Sequence, residues 1–461
     1  MPGGRARQLK FNGFTFDMGP SWYWMPGVFE RYFSLFGKKV SEYYELKRLD
    51  PSYRVYWPNH YLDIPADYLE LRSIFENIEA GSGEQLDKFL QEAAYKYNVG
   101  INRLVLKPGF SLTEFLDWDL LKGIFSLQVF TSIKKHVNAY FKNNEIRQIL
   151  QFPVLFLGAL PVNTPALYSL MNYADIKLGT WYPAKGMYSI VNAMKDVAIE
   201  LGVKFCFGHD VKKFHFKDKI VTHVEAYDNA TGTSKIFDAN VVVGTADYHY
   251  IESNLLPQKL RSYSEKYWDK RAMAPSCLLY FVGLSKKLSN IEHHSLFFDS
   301  SFELHAGEIY SSPRWPTDPM FYVSATSVTD ETVAPPGCEN LFFLVPVASG
   351  LTGDTELLRE KYFDIIISRF EKGIGEKIKE YILFKKTFGP NDFVHDYNAF
   401  KGNAYGLANT LLQTAILKPS CRSKKVKNLF YAGQLTVPGP GVPPALISGE
   451  VVANEILKAF R

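Results

Sequence analysis

The sequence predicts an α/β fold of two or three lobes, and three observations carry that expectation. A chain of 461 residues is too long for one small core. The stretch Asn428 to Leu457, NLFYAGQLTVPGPGVPPALISGEVVANEIL, passes from strand through turn to helix. Farther back, Asn240 to Asp247, NVVVGTAD, is an apolar strand that ends in a small-residue turn. In the terminal stretch, Leu429 to Ala432 are apolar over a strand's length and Gly433 ends the run. Val437 to Pro444 holds two glycines and four prolines, which makes a rigid turn. From Ala445 the apolar positions Leu446, Ile447, Val451, Val452, Ile456 and Leu457 fall on one helical face. Pro443 and Pro444 suit a first helical turn, whose backbone donors have no helical partner. Such a unit lets a flat or anionic ligand approach the backbone at a helix start. From the glycines alone, an ordinary strand-to-helix junction fits as well.

Composition narrows the class. Hydrophobic residues at 46% and charged residues at 22% give a globular chain rather than a disordered one. A net charge of +4 is too small to imply nucleic-acid binding. The 35 Phe and 28 Tyr suit a large apolar cavity, a membrane-facing surface or a thick core. Cys206, Cys277, Cys338 and Cys421 lie far apart, so neither a zinc site nor a disulfide framework is indicated, and no metal is expected. The start, MPGGRARQLK, lacks the apolar core of a signal peptide. Ile149 to Val162 is the most apolar segment, but Gln151, Pro153 and Pro161 interrupt it and it is too short to span a bilayer. A cytoplasmic chain, attached to membrane at its surface, is the expectation.

Taken in order, Gly3-Gly4-Arg5-Ala6 opens the chain, and FNGFTFDMGPS follows from Phe11 to Ser21 with strand-like alternation and a turn at Gly19-Pro20. GGRA, a short gap, GFTFDMGPSW and the terminal Gly433 to Pro443 turn resemble the flavin-contacting segments of the carotenoid desaturases, the phytoene desaturase family of FAD-dependent oxidoreductases. The resemblance implies FAD as cofactor. It places Gly3, Gly4 and Arg5 at the pyrophosphate, and Gly19, Pro20 and Ser21 beside the isoalloxazine ring. From its residues alone Arg5 also reads as a solvated basic terminus. Val211 falls against the adenine side, and Ala246, in the Gly244 to Asp247 turn, near the pyrophosphate. Gly433, Gln434, Gly439, Gly441, Val442 and Pro443 complete the implied cofactor set. In that family a strand, GxGxxG and a helix, then an acidic residue about 20 residues later, precede GGRA. No GxGxxG occurs here. Either Met1 is an internal methionine, or the chain is a fragment, or the protein does without the motif; the first two are favoured, and they put a βαβ unit of about 30 residues upstream of Met1.

Trp22, Trp24, Phe29, Tyr32 and Phe33 are expected on an aromatic helix, Tyr53 to Pro65 in two short strands, and Asp67 to Asn98 in helix broken at Gly81-Ser82-Gly83. Leu112 to Lys142 sets apolar and aromatic bulk beside Lys134 and Lys135. Both a helix lying in a membrane interface and one packed on a neighbouring lobe fit. Arg147, the apolar run and Gly179-Thr180-Trp181-Tyr182-Pro183 again resemble the desaturases, except that Asn144 stands where relatives carry an aspartate, with Glu145 beside it. A solvent-facing Glu145–Arg147 pair is the plainer reading. Tyr188 to Glu200 is an amphipathic helix, and strands follow at Val203–Phe207, Val211–Phe216, Ile220–Tyr227, Lys235–Phe237 and Asn240–Gly244. Asn229-Ala230-Thr231 matches a glycosylation sequon but reads as a hairpin turn. His293-His294 reads as a surface pair.

The fold class that the resemblance implies is α/β, a split Rossmann-like FAD-binding domain with an α+β substrate domain and a helical, membrane-contacting part. The cofactor domain takes residues 1–30, 184–262 and 388–461, the membrane-contacting region 31–183 and the substrate domain 263–387. The implied activity is FAD-dependent desaturation of phytoene towards lycopene, with a long-chain isoprenoid substrate and no electron acceptor named by the sequence. Glu145, Arg147 and Asp247 are the polar candidates for catalysis. The alternatives are an isomerase or oxygenating carotenoid enzyme on the same scaffold, and a non-catalytic lipid-binding remnant.

Overall fold

A seven-stranded sheet forms the centre of the molecule. The computed structural model describes residues 1–115 and 127–460, and every absence stated below refers to those residues. The strand order is Ile382–Phe388, Ser276–Leu284, Glu339–Val347, Phe321–Ser324, His294–Phe297, Tyr53–Tyr56 and Tyr61–Ile64. The sheet is mixed: neighbours run antiparallel except that His294–Phe297 pairs parallel with Tyr53–Tyr56, Ser295 opposite Arg54. It therefore takes strands from both 31–183 and 263–387.

Covering both faces explains the sequence of its inner strands. SCLLYFVGL, Ser276 to Leu284, is buried at every position, so it reads as a continuous apolar run without alternation. The helix Glu356–Ile374 covers one face. It starts at Thr355, whose side chain accepts from Leu358 N, and ends at Gly375 with φ 74°. Ile366, Ile367 and Phe370 pack there against Phe343 and Phe297. Phe16, Phe281, Phe342 and Tyr322 belong to the larger core on the other face. Truncating a fully buried ring such as Phe343 to alanine would cost roughly 3–5 kcal/mol.

The cofactor-side elements are smaller. Gln8–Phe11 and Phe14–Asp17 form a hairpin through Asn12-Gly13, both at positive φ, as a two-residue turn of this twist requires. His209–Lys217, Ile220–Asp228 and Thr233–Asp238 form a three-stranded antiparallel sheet, with the hairpin turn expected at Asn229–Gly232. Val242–Gly244 pairs parallel with Leu429–Tyr431, Val242 opposite Leu429.

Several local expectations change. Val203–Phe207 makes no strand; its side chains are exposed and no strand pairs with it. Trp22 and Trp24 precede the helix, which starts at Pro26 and runs to Ser34. The helical stretch expected over Leu112–Lys142 falls largely outside the described residues; within them lie a 3-10 turn, Leu112–Phe115, and a helix, Ile133–Tyr140. No helix is long and apolar enough to cross a membrane. His293 and His294 are buried rather than at the surface, because His294–Phe297 is an inner strand of the large sheet.

Candidate functional site

At the carboxyl ends of the two parallel strands the chain leaves a cleft. It is lined by Gly244 to Tyr248 from one strand exit, by Tyr431, Ala432 and Gln434 to Thr436 from the other, and by Arg5. Ligands of open α/β sheets bind at this kind of place. Arg5 reaches it from a 3-10 turn, Gly4–Ala6, that follows Gly3 at φ 110°. Gly19 allows this approach: a Cβ there would lie 2.6 Å from the Arg5 carbonyl oxygen. The Arg5 guanidinium donates from Nη2 to the Asn403 carbonyl at 3.1 Å and lies 5.0 Å from the centre of the Tyr397 ring. Turned to satisfy the network, the Gln434 amide oxygen accepts from Arg5 Nη1 and Nη2 at 3.2 and 3.1 Å. Arg5 Nε is buried with no partner. Burial pulls the guanidinium below its ordinary value, and Asp247 opposes that pull.

The turn after Val242–Gly244 contributes donors. The amides of Thr245 and Ala246 make no hydrogen bond. Asp247 caps the short helix behind them: Oδ1 accepts from Tyr250 N and Oδ2 from Phe400 N, each at 3.1 Å. Burial raises the Asp247 carboxyl, while those two amides and Arg5 lower it. With both oxygens engaged by backbone, Asp247 holds the turn in shape.

The terminal motif has the expected form with different details. Gly433 has φ 110°, and its amide donates to Ser448 Oγ at 2.8 Å. Ser448 Oγ in turn donates to the Ala445 carbonyl at 2.6 Å, which ties the helix to the strand exit. The helix Val442–Ala459 begins after Gly441, φ 110°, with no side-chain cap. Pro443 and Pro444 carry no N–H, so the free amides at this helix start are those of Gly441 and Val442. Pro443 therefore shapes the turn without donating. A side chain at Gly439 would set its Cβ 3.1 Å from both Lys418 Nζ and Asn409 Oδ1. One at Gly441 would meet Pro444 Cδ at 3.2 Å.

The second implied segment, Gly19-Pro20-Ser21, connects to the buried histidines. Tyr322 OH donates to Ser21 Oγ at 3.0 Å and lies 2.7 Å from His294 Nδ1. One O–H serves one acceptor, so His294 donates from Nδ1 and keeps Nε2 as a bare acceptor. That Nε2 is buried without a partner, and the Trp22 ring stacks on the imidazole at 4.1 Å. Burial, with His293 beside it, holds His294 well below the ordinary histidine value.

Just before this turn, Asp17 accepts from Met187 N at 2.7 Å and Tyr188 N at 3.1 Å, at the start of the helix Tyr188–Glu200. Burial pushes its carboxyl up to about 7, against both amide hydrogen bonds. Val211 is half-buried in the first strand of the three-stranded sheet. Glu145 and Arg147 share the helix Asn144–Gln151. Glu145 Oε1 lies 3.2 Å from His60 Nε2, and Arg147 Nε donates to the Phe141 carbonyl at 2.7 Å. The structure does not bring Glu145, Arg147 and Asp247 into contact with one another. Ser448 and Asp17 escape sequence reasoning. DMGPS shows an acid before a turn, but nothing local shows that it meets residues 187 and 188.

Comparison with solved structures first defines the class. An oxidoreductase from Methanosarcina mazei superposes with a TM-score of 0.61 at 13% identity, over 98% of this chain and 92% of that one. At that identity the likeness is one of fold, the α/β fold of FAD-binding oxidoreductases. The family model for flavin-containing amine oxidoreductases matches residues 1–457. A carotenoid 3,4-desaturase of Haloarcula japonica is 38% identical, over 99% of this chain and 91% of that protein. A zeta-carotene-forming phytoene desaturase of Myxococcus xanthus is 29% identical, over 99% and 87%. The chain belongs to the flavin-containing amine oxidoreductases and, within them, to the carotenoid desaturase family. It is an oxidoreductase whose cofactor is FAD. The residues present fit that group: Arg5 Nε and the amides of Thr245, Ala246, Gly441 and Val442 are donors without partners, as an anionic ligand needs.

Proposed function

We propose that this protein desaturates phytoene towards lycopene. The observation that carries the reading is the donor set around the cleft, with unpartnered N–H groups from Arg5, Thr245 and Ala246 on one side and Gly441 and Val442 at a helix start on the other. Bound FAD supplies the hydride acceptor. Arg5 and the 245–246 amides would hold its pyrophosphate, and the Gly441–Val442 amides its ring. Buried aromatic side chains, among them Tyr53 and Phe152, exclude water around Trp22. The Ser21–Tyr322–His294 chain holds a proton at His294 Nδ1 and offers a bare acceptor at Nε2. Glu145 and Arg147 remain our candidates on the substrate side. Asp247 acts by positioning the turn.

The exposed Phe110 and Phe130, 44% and 85% accessible, support contact of this part of the chain with a membrane surface that delivers the substrate. A second reading, desaturation at the 3,4 position of a carotenoid, is favoured by the 38% identity to a relative so described.

The test is product analysis. Protein produced from the whole native gene is loaded with FAD and given phytoene in liposomes, then lycopene in a parallel reaction. Added double bonds move the absorption to longer wavelength and change retention on chromatography. Conversion of phytoene supports the first reading, and conversion of lycopene alone supports the second. No added double bond on either substrate, with flavin bound, would sink both.

A further inference from the structure

Lys418 is a buried amine with no carboxylate paired to it among the described residues. Its side chain is 4% exposed, and its single hydrogen bond runs from Nζ to Asn409 Oδ1 at 2.7 Å. Among the described residues no carboxylate acts on its charge. Burial alone pushes the amine down to about 7. An ammonium has three donors, and a lone buried charge is costly unless something compensates it. A purely structural side chain at this place would do better as methionine or leucine.

The position of Nζ gives the cation a use. It lies against the backbone of Gly439, where a Cβ would come within 3.1 Å of it. Gly439 sits at φ 140°, in the turn that leads directly into Gly441 and the uncapped helix start. The absence of a side chain at 439 thus brings the amine up to the same turn that presents the Gly441 and Val442 amides.

We propose that Lys418 is an electrostatic positioning residue for reduced flavin: its ammonium, set against Gly439, adds to the helix start in stabilising the negative charge that a transferred hydride leaves on the ring. The hydride carries both electrons of the broken C–H bond, so two-electron reduction makes the ring more negative by one charge. This rests on the reading that the 439–442 turn receives the flavin. Positive charge at this place favours the anionic product over the neutral oxidised ring, and by the same attraction the anionic ring favours the protonated amine. Oxidised-flavin binding should therefore depend little on Lys418, and reduced-flavin binding strongly.

The experiment measures the flavin midpoint potential of the holoprotein by dye equilibration, for wild type, Lys418→Met, Lys418→Gln and Lys418→Arg. Dissociation constants of oxidised flavin are measured alongside. The Met and Gln variants are expected to shift the reduction equilibrium at least tenfold against the reduced form, about 30 mV for a two-electron couple. Their oxidised-flavin affinity should change less than threefold, and the Arg variant should stay within a few millivolts of wild type. An unchanged potential in Met and Gln overturns the proposal. So does an equal loss of both flavin forms, or loss of fold in both variants, since each assigns Lys418 a structural role. Gly441→Val separates the two levels. If it keeps full flavin occupancy, the turn is not the flavin site and the underlying reading fails. If it loses flavin while Lys418→Met leaves the potential unmoved, only the role of Lys418 fails.

Discussion

Asp17 makes the stability of this protein depend on pH in an unusual direction. Its carboxyl titrates at about 7 in the folded chain against 3.8 unfolded, a difference of about 4 kcal/mol between protonated and ionised forms. The folded state holds the proton over that window and the unfolded state does not. Stability is therefore fully present below about pH 4 and falls as pH rises through 7. Between pH 5 and pH 8 the loss assignable to Asp17 is about 2.5 kcal/mol. Asp17→Asn removes the titration while retaining a carbonyl oxygen for one of the amides of Met187 and Tyr188. Urea unfolding of wild type and variant at both pH values isolates the effect, because every other group titrates in both proteins. The expected result is a wild type that loses about 2.5 kcal/mol relative to the variant between pH 5 and pH 8. Equal losses in the two proteins would show that the Asp17 carboxyl is ionised in the fold, and the reasoning from burial would be wrong. Asp17 is joined to Gly19-Pro20-Ser21 through one residue, so flavin retention is expected to weaken over the same interval.

Two other outcomes are expected. Gly441→Val places a β-branched residue at φ 110° with its Cβ 3.2 Å from Pro444; flavin absorbance and turnover should both disappear while circular dichroism stays near wild type. Gly307→Ala, where nothing lies within 4 Å and φ is ordinary, is the control that should leave flavin content unchanged. Charge reversal at Lys134 and Lys135 should weaken sedimentation with anionic vesicles at low salt by about 1 kcal/mol per lysine or more, and identical sedimentation would remove those residues from the membrane surface.

The elements that local pattern specifies were legible in the sequence. The strand at Leu429, the helix after Pro444, the hairpin around Asn229 and the break at Gly81 all follow from short-range apolar periodicity and glycine placement. The Asn12-Gly13 hairpin carries the same kind of local signal, a turn dipeptide between alternating residues. What stayed hidden depends on residues far apart in the chain. His293-His294 looks like a polar surface pair until His294 is known to stand between Tyr53–Tyr56 and Phe321–Ser324. Gly439 looks like clearance for a ligand until Lys418 and Asn409 are found against it. Pro443 and Pro444 suit a first helical turn by position, and the missing N–H of each leaves Gly441 and Val442 as the free donors there. Roles in catalysis lie beyond local pattern, because no spacing tells whether an acid such as Asp247 has oxygens left after its backbone contacts are made.

The parallel pairing of Ser295 with Arg54, and the cleft that needs both Arg5 and Gln434, bear on how the polypeptide is made. Tyr53–Tyr56 leaves the ribosome with its hairpin mate Tyr61–Ile64 but without its other neighbour, and Arg5 must wait for almost the entire chain. At roughly 5–20 residues per second, the N-terminal turn stays without its partners for tens of seconds. During that interval the aromatic strands are sticky and unpaired. Production in a cell should accordingly depend on chaperone supply and temperature, and the flavin pocket should be the last region of the nascent protein to resist protease.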